Sequence, residues 1–175
     1  MGEGWLAVRL TQYSGYGLRA LMYVGLKDEE LSTIAEIAEA HKISRNHLMK
    51  VVQQLAAEGF VYSRRGKNGG IRLARAPESL SVGEVVRALE PNFGVADCMR
   101  SKKECLLVNV CRLRAKLAEA SAAFLAVLDD VTLADLLQGE AHQDVLRDLL
   151  DQDPAPRARR VNGARGNACL ESPAT

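Results

Sequence analysis

Three of the four cysteines, Cys98, Cys105 and Cys111, share one polar stretch, "DCMRSKKECLLVNVC", with six and then five residues between them. Three thiolates on one irregular segment can converge on a single centre. Zinc structural sites take closer cysteine pairs and a fourth Cys or His, and no histidine lies between His47 and His142. Iron-sulfur clusters accept longer, less regular spacings, and their potential and lability follow the ligand set. A regulatory Cys98–Cys105 disulfide and three inert thiols also stay open on spacing alone. The fourth cysteine, Cys169, lies in an aperiodic tail and reads as a stray exposed thiol.

These thiols are not needed merely to fold the chain. At 175 residues it is long enough to bury a core without staples. It is 47% apolar but only 5% aromatic, with Ala and Leu dominant, a balance that points to a mainly α protein. No stretch approaches the roughly 20 apolar residues of a membrane span, and Met1 to Leu10 has neither the basic start nor the apolar core of a signal peptide. The expected location is cytoplasmic, where clustered thiols serve as ligands or redox sensors rather than as a disulfide framework. No Ser/His/Asp order or phosphate loop is present, so no enzyme is expected.

The net charge of +1 hides a polarised distribution. Between His41 and Ala76 stand Lys42, Arg45, Lys50, Arg64, Arg65, Lys67, Arg72 and Arg75, with Glu58 the only acid. Such a block attracts phosphates. Its organisation is that of a reader of DNA. Thr33 to Glu36 has capping-box form and opens a helix. Ser44 can cap a second one, carrying Leu48, Val51, Val52 and Leu55 at helical spacing and stopping at Gly59. From Phe60 the apolar period becomes that of strands. "FVYSRRGKNGGIRLA" reads as a β-hairpin whose loop, Arg65 to Gly70, holds three glycines and Asn68. A helix-turn-helix followed by a basic hairpin is a winged helix. In that geometry Ser44, Arg45, Asn46, His47 and Lys50 lie near the leading end of the groove-entering helix, and the wing lies along the backbone or minor groove.

The remaining segments are helical. Leu18, Leu21, Met22 and Leu26 predict the core stripe of a first helix, and Ser81 to Glu84 has the form of another capping box, opening a short helix that ends before Pro91. Leu113, Leu117, Ala120, Phe124, Leu125 and Leu128 mark a long amphipathic helix, followed by a new cap at Thr132. A helix of that length outside a small domain pairs with its copy or folds back on its own domain; pairing offers two recognition helices to a palindromic operator. After Pro154, Arg, Ala, Gly and Pro without periodicity predict disorder.

"RLTQYSGYGLRALMYVGL", "SRNHLMKVVQQLAAEGFV", "RGKNGGIRLA", "VGEVVRALEPNF" and "CRLRAKLAEASAAFLAVLDDVTLADLL" resemble, in order, the cluster-binding winged-helix repressors of the NsrR, IscR and RirA type, over Arg9 to about Leu137. The similarity is greatest to the nitric-oxide-sensitive NsrR branch. It implies a homodimer that binds double-stranded operator DNA while it holds an iron-sulfur cluster, four-iron four-sulfur or alternatively two-iron two-sulfur, and releases it when nitric oxide attacks the iron. It assigns Cys98, Cys105 and Cys111 to the cluster, and Ser44, Arg45, His47 and Lys50 with Arg65, Gly66 and Lys67 to DNA. Two departures stand out. The first cysteine gap moves towards that of the iron-responsive RirA, and Gly15 replaces the aspartate that the resemblance associates with a fourth ligand from the partner subunit. "MGEGWLAV" falls outside the resemblance.

The expected organisation is a winged helix-turn-helix domain over 9–90, a cysteine loop over 91–111, a dimerisation helix and following short helix over 112–138, and a partly disordered extension over 139–175. The expected function is a nitric-oxide-responsive repressor. The alternatives are an iron- or redox-responsive regulator of the same family and a thiol-only or zinc-stabilised interaction module.

Overall fold

A computed structural model of the chain describes residues 9–27, 30–96, 99, 110–138 and 148. It is mainly helical with one small hairpin, as the sequence predicts. The helices are α1 (Gln12–Leu26), α2 (Ile34–Ala40), α3 (Arg45–Ala57), α4 (Val82–Leu89), α5 (Arg112–Asp129) and α6 (Leu133–Leu137), with strands β1 (Val61–Arg64) and β2 (Gly70–Leu73) between α3 and α4. Among the described residues no helix is long and apolar enough to cross a membrane. The expected disorder beyond Pro154 and the stray Cys169 lie outside the described residues.

Local chemistry sets most boundaries. At α2 the Thr33 side chain accepts from the Glu36 amide while Glu36 bonds back to the Thr33 N–H, a complete capping box. Thr132 and Asp135 repeat it at α6. After α3, Gly59 adopts φ +74°, the left-handed conformation that costs glycine little. In the hairpin Tyr62 pairs with Arg72 on one face, while Val61–Leu73 and Ser63–Ile71 form the other. Gly66 (φ +98°) and Asn68 (φ +65°) take the positive dihedrals that turn the chain between them. Ser32 adds an antiparallel bridge to Ile71, tying the hairpin to the entry of α2.

Two caps differ from expectation. Ser81 accepts from the Glu84 amide, but Glu84 does not bond back; its carboxylate pairs with Arg75 at 2.9 Å instead. A charged partner makes a stronger hydrogen bond than a backbone N–H, so the box stays half made. Ser44 occupies the cap position of α3, yet its side chain makes no cap hydrogen bond. Its backbone (φ −58°, ψ 128°) is less extended than that of Thr33 (φ −82°, ψ 153°), and an exposed hydroxyl has water as its partner.

The core gathers Leu21, Val24, Ile37, Leu48, Leu55, Phe60, Ile71, Leu80, Val85, Leu89 and Leu133. The buried face of α1 is rotated from the Leu/Met stripe. It runs through Ser14, Gly17, Leu21 and Val24, with Leu18 and Met22 packed at its flank. Gly17 is the reason: a Cβ there would collide with the buried Leu89 side chain, so the bare backbone lets α4 approach. The long helix α5 has no buried residue. Arg87 of α4 forms a two-pronged ion pair with Asp129 near its end, and α6 then returns Leu133 to the core.

Candidate nucleic-acid interface and cysteine site

The helix-turn-helix is built by burying one side of α3. Leu48, Val51, Val52 and Leu55 face the core. Arg45, Asn46, His47, Met49, Lys50 and Gln53 face outward. The turn before it is tight: α2 ends at Ala40, and Lys42 takes φ +53°. His41 packs edge-on to Tyr23, with centroids 5.9 Å apart. Its pKa lies below the ordinary histidine value because the ring is buried; the charge of Arg19 lowers it further, and a hydrogen bond to the Arg19 backbone opposes both.

Only three residues separate α3 from β1. Phe60 within them is buried, and its N–H donates to the Leu55 carbonyl at 2.9 Å, so wing and helix share one frame. Arg64, Arg65, Gly66 and Lys67 are all exposed on the wing. Among the described residues none of Arg45, Lys50, Arg64, Arg65 and Lys67 forms an ion pair, whereas Arg75 is held by Glu84 and lies over the Phe60 ring. The basic block of the sequence thus divides into a structural cation and an outward set. Ser44, Arg45, Asn46, His47 and Lys50 stand together at the leading end of α3, with Arg65, Gly66 and Lys67 on the wing. Unpaired cations on a rigid convex edge can neutralise phosphates, and the amide and imidazole beside them can meet base edges.

Sequence reading missed what holds α3 in place. The Tyr13 hydroxyl lies 2.9 Å from both the Lys50 carbonyl and Gln54 Oε1, and Gln54 Nε2 donates to the Ala88 carbonyl at 2.6 Å. Thr11 N–H donates to Glu90 at 2.6 Å alongside them. These partners lie far apart in the chain, so no spacing signals them. Burial raises the pKa of Tyr13, which keeps its hydroxyl a donor.

Of the three clustered thiols Cys111 is described; Cys98 and Cys105 lie outside the described residues. Cys111 is the cap of α5, half-buried, and its sulfur accepts from the Arg114 N–H at 3.4 Å. It lines a cavity of about 490 Å³ with Met99, Val110, Arg112, Arg114, Ala115 and Ala118. The Nε of Arg114 is buried and has no hydrogen-bond partner among the described residues. The sulfur stands at the start of an 18-residue helix, in a cavity that Arg112 and Arg114 also line. These features fit a thiolate-held anionic group. Gly15 sits in the second turn of α1, where an added Cβ meets nothing within 4 Å.

Comparison with known proteins gives this geometry a context. Residues 10–139 match the family profile Rrf2, described as an iron-dependent transcriptional regulator. The transcriptional regulator NsrR of Geobacillus kaustophilus is 47% identical over 147 residues, 83% of this chain and 98% of that protein. NsrR of Bacillus subtilis is 43% identical over 142 residues, 80% of this chain and 96% of its own length. Among solved structures, T. potens IscR superposes with a TM-score of 0.62 at 26% identity, over 77% of this chain and 89% of that one. CymR, the global cysteine regulator of B. subtilis, gives 0.59 at 25% identity, over 74% and 96%.

Proposed function

The chain belongs to the Rrf2 family of transcriptional regulators, and from that premise we propose a homodimeric repressor that grips operator DNA with α3 and the wing and answers to nitric oxide through an iron-sulfur cluster. The observation that carries the DNA reading is the outward set of unpaired cations, Arg45, Lys50, Arg64, Arg65 and Lys67, on one frame with the leading end of α3. Ser44, Asn46 and His47 supply groups for base edges, and Gly66 lets the wing backbone come close to phosphate.

Dimerisation rests on α5. Leu113 and Val127 are 66% and 65% exposed on a helix with no fully buried residue. Pairing with the same helix of a second copy would cover them and relate two α3 helices by a twofold axis. The residues fall accordingly into a DNA-binding unit over 9–90, a cysteine loop over 91–111, a pairing region over 112–138 and an extension over 139–175.

Cys98, Cys105 and Cys111 would hold the cluster, most simply a four-iron four-sulfur one, and Arg114, whose Nε has no partner among the described residues, would offset its negative charge. When bound it supplies iron at which nitric oxide reacts. This chain's residues would orient it: Cys111 is fixed by the first turn of α5, while Gly15 has no side chain to serve as a fourth ligand. The resemblance of the motifs to the nitric-oxide-sensitive branch supports nitric oxide as the effector; the family's description as iron-dependent favours iron as the second reading.

Anaerobic purification, followed by absorption spectra, iron and sulfide analysis and operator binding before and after nitric oxide, tests the proposal. Cys98→Ala, Cys105→Ala and Cys111→Ala should each lose the cluster and regulated binding, and Cys169→Ala neither. A colourless zinc protein would overturn the cluster reading. A coloured protein that responds to iron chelation but not to nitric oxide would transfer the effector role to iron.

A further inference from the structure

The large apolar side chains exposed among the described residues fall on two surfaces. Val95, Val110, Leu113 and Val127 belong to α5 and its approaches, and Met49 and Tyr62 to α3 and the wing. Met49 is 53% exposed, one helical turn beyond Arg45 and one turn before Gln53. A lone exposed methionine is ordinary on a protein surface. Its surroundings are not: every other exposed side chain between Arg45 and Lys50 is polar, namely Arg45, Asn46, His47 and Lys50. Those four can meet phosphates and hydrogen-bonding base edges. None matches the one apolar feature of the major groove, the C5-methyl of thymine.

We propose that Met49 is a specificity-determining residue that packs on thymine C5-methyl groups in the major groove, so that each operator half-site carries a thymine facing the second turn of α3. The inference rests on the DNA-binding reading above and adds to it which base is read and by what. The unbranched thioether bends to follow a methyl group whose position varies with local twist. The cations around Met49 lack acidic partners, which favours a polyanion over an apolar protein surface as the occupant. Leu48 and Val51, buried on the opposite side, hold the helix orientation, so the side chain is aimed by packing.

Deoxyuridine removes the methyl group and leaves the pairing edge intact, which supplies the test. Duplexes are selected from a random-sequence pool on the full-length, anaerobically purified protein, and the enriched half-sites are resynthesised with each thymine replaced in turn. Wild type should lose about fourfold in affinity per methyl at one position, the worth of one buried methyl group, and roughly fifteenfold when both half-sites are changed. Met49→Ala, which keeps a good helix former in place, and Met49→Gln, which keeps the length, should bind thymine and deoxyuridine duplexes alike. Wild-type affinity unchanged by replacement of every thymine would overturn the proposal, as would a Met49→Ala protein that keeps the full deoxyuridine penalty. If no sequence is enriched from the pool, the operator reading itself fails and the inference falls with it; enrichment without methyl dependence removes the inference alone.

Discussion

Gln54 on α3 and Ala88 in the last turn of α4 are joined by a 2.6 Å hydrogen bond from the side-chain amide to the main-chain carbonyl. That carbonyl has no partner within its own helix. The other end of the amide faces the Tyr13 hydroxyl of α1, so a single side chain ties three helices together. Because Ala88 can only accept, the amide orientation is set by the network. Two residues after Ala88 the chain leaves for the cysteine segment, so the outward helix and the root of that segment share one anchor.

Removing the anchor should be felt as stability. Gln54→Ala leaves the Ala88 carbonyl without its partner in a half-buried place and the Tyr13 hydroxyl with the Lys50 carbonyl alone, at a cost of about 1–2 kcal/mol. Tyr13→Phe should cost about 1 kcal/mol, and the double variant less than the sum by at least ~0.5 kcal/mol. Urea unfolding midpoints measure all three. Strict additivity would show that the two side chains do not act through each other.

The wing and the helix should separate in salt titrations. Lys67→Ala removes an exposed wing charge that we propose meets phosphate, so it should weaken binding to all duplexes alike and lower the salt slope by roughly one unit. Arg45→Ala should in addition flatten sequence preference, by about 1–3 kcal/mol between best and mismatched sites. Fluorescence anisotropy at several salt concentrations reads both. Wild-type affinity and slope in both variants would remove these residues from the interface.

At Gly15 the structure makes a substitution cheap. Nothing lies within 4 Å of an added Cβ, and Gly15→Asp exchanges a helix-weakening glycine for an acid near the start of α1, where the helix dipole favours it. Thermal unfolding of the cluster-free protein should show unchanged or slightly higher stability, by up to about 1 kcal/mol. In the loaded dimer a tethered carboxylate should slow loss of cluster absorbance in air, since a held ligand rebinds at high effective concentration. Unchanged decay in a well-folded dimer would mean that the fourth ligand comes from elsewhere.

His41 makes stability depend on pH. As acid is added the unfolded chain takes up the proton near the ordinary value of about 6.5, the folded chain only at a lower pH. The stabilisation is therefore complete above that value and is lost as pH falls through it towards the folded value. Urea midpoints should drop between about pH 7 and pH 5, and His41→Asn should flatten that part of the profile. A wild-type profile with the same slope as the variant would exclude His41 as its source.

What was legible in the sequence follows the range of the forces involved. The caps at Thr33 and Thr132, the left-handed stop at Gly59 and the Gly66–Asn68 turn are made by residues three or four apart, and their chemistry is written in adjacent letters. The buried side of α3 followed from its period, and with it the outward placing of Arg45, Asn46, His47 and Lys50. The wing could be read because strand alternation and turn residues agree about one hairpin.

Tertiary structure decided whatever depends on a distant partner. The buried face of α1 carries Gly17, whose bare backbone Leu89 needs, beside Leu21, Tyr23 and Val24, while Leu18 and Met22 of the apolar stripe are left at its flank. Glu84 left its cap for Arg75, and Gln54, a polar residue like its neighbour Gln53, became an anchor only because Tyr13 and Ala88 arrive beside it. Sequence alone determined which elements form, since backbone propensity and capping act within a turn or two. The pairing of side chains across 30 to 80 positions was determined only by close packing, which brings those elements into contact and sets which distant polar groups meet.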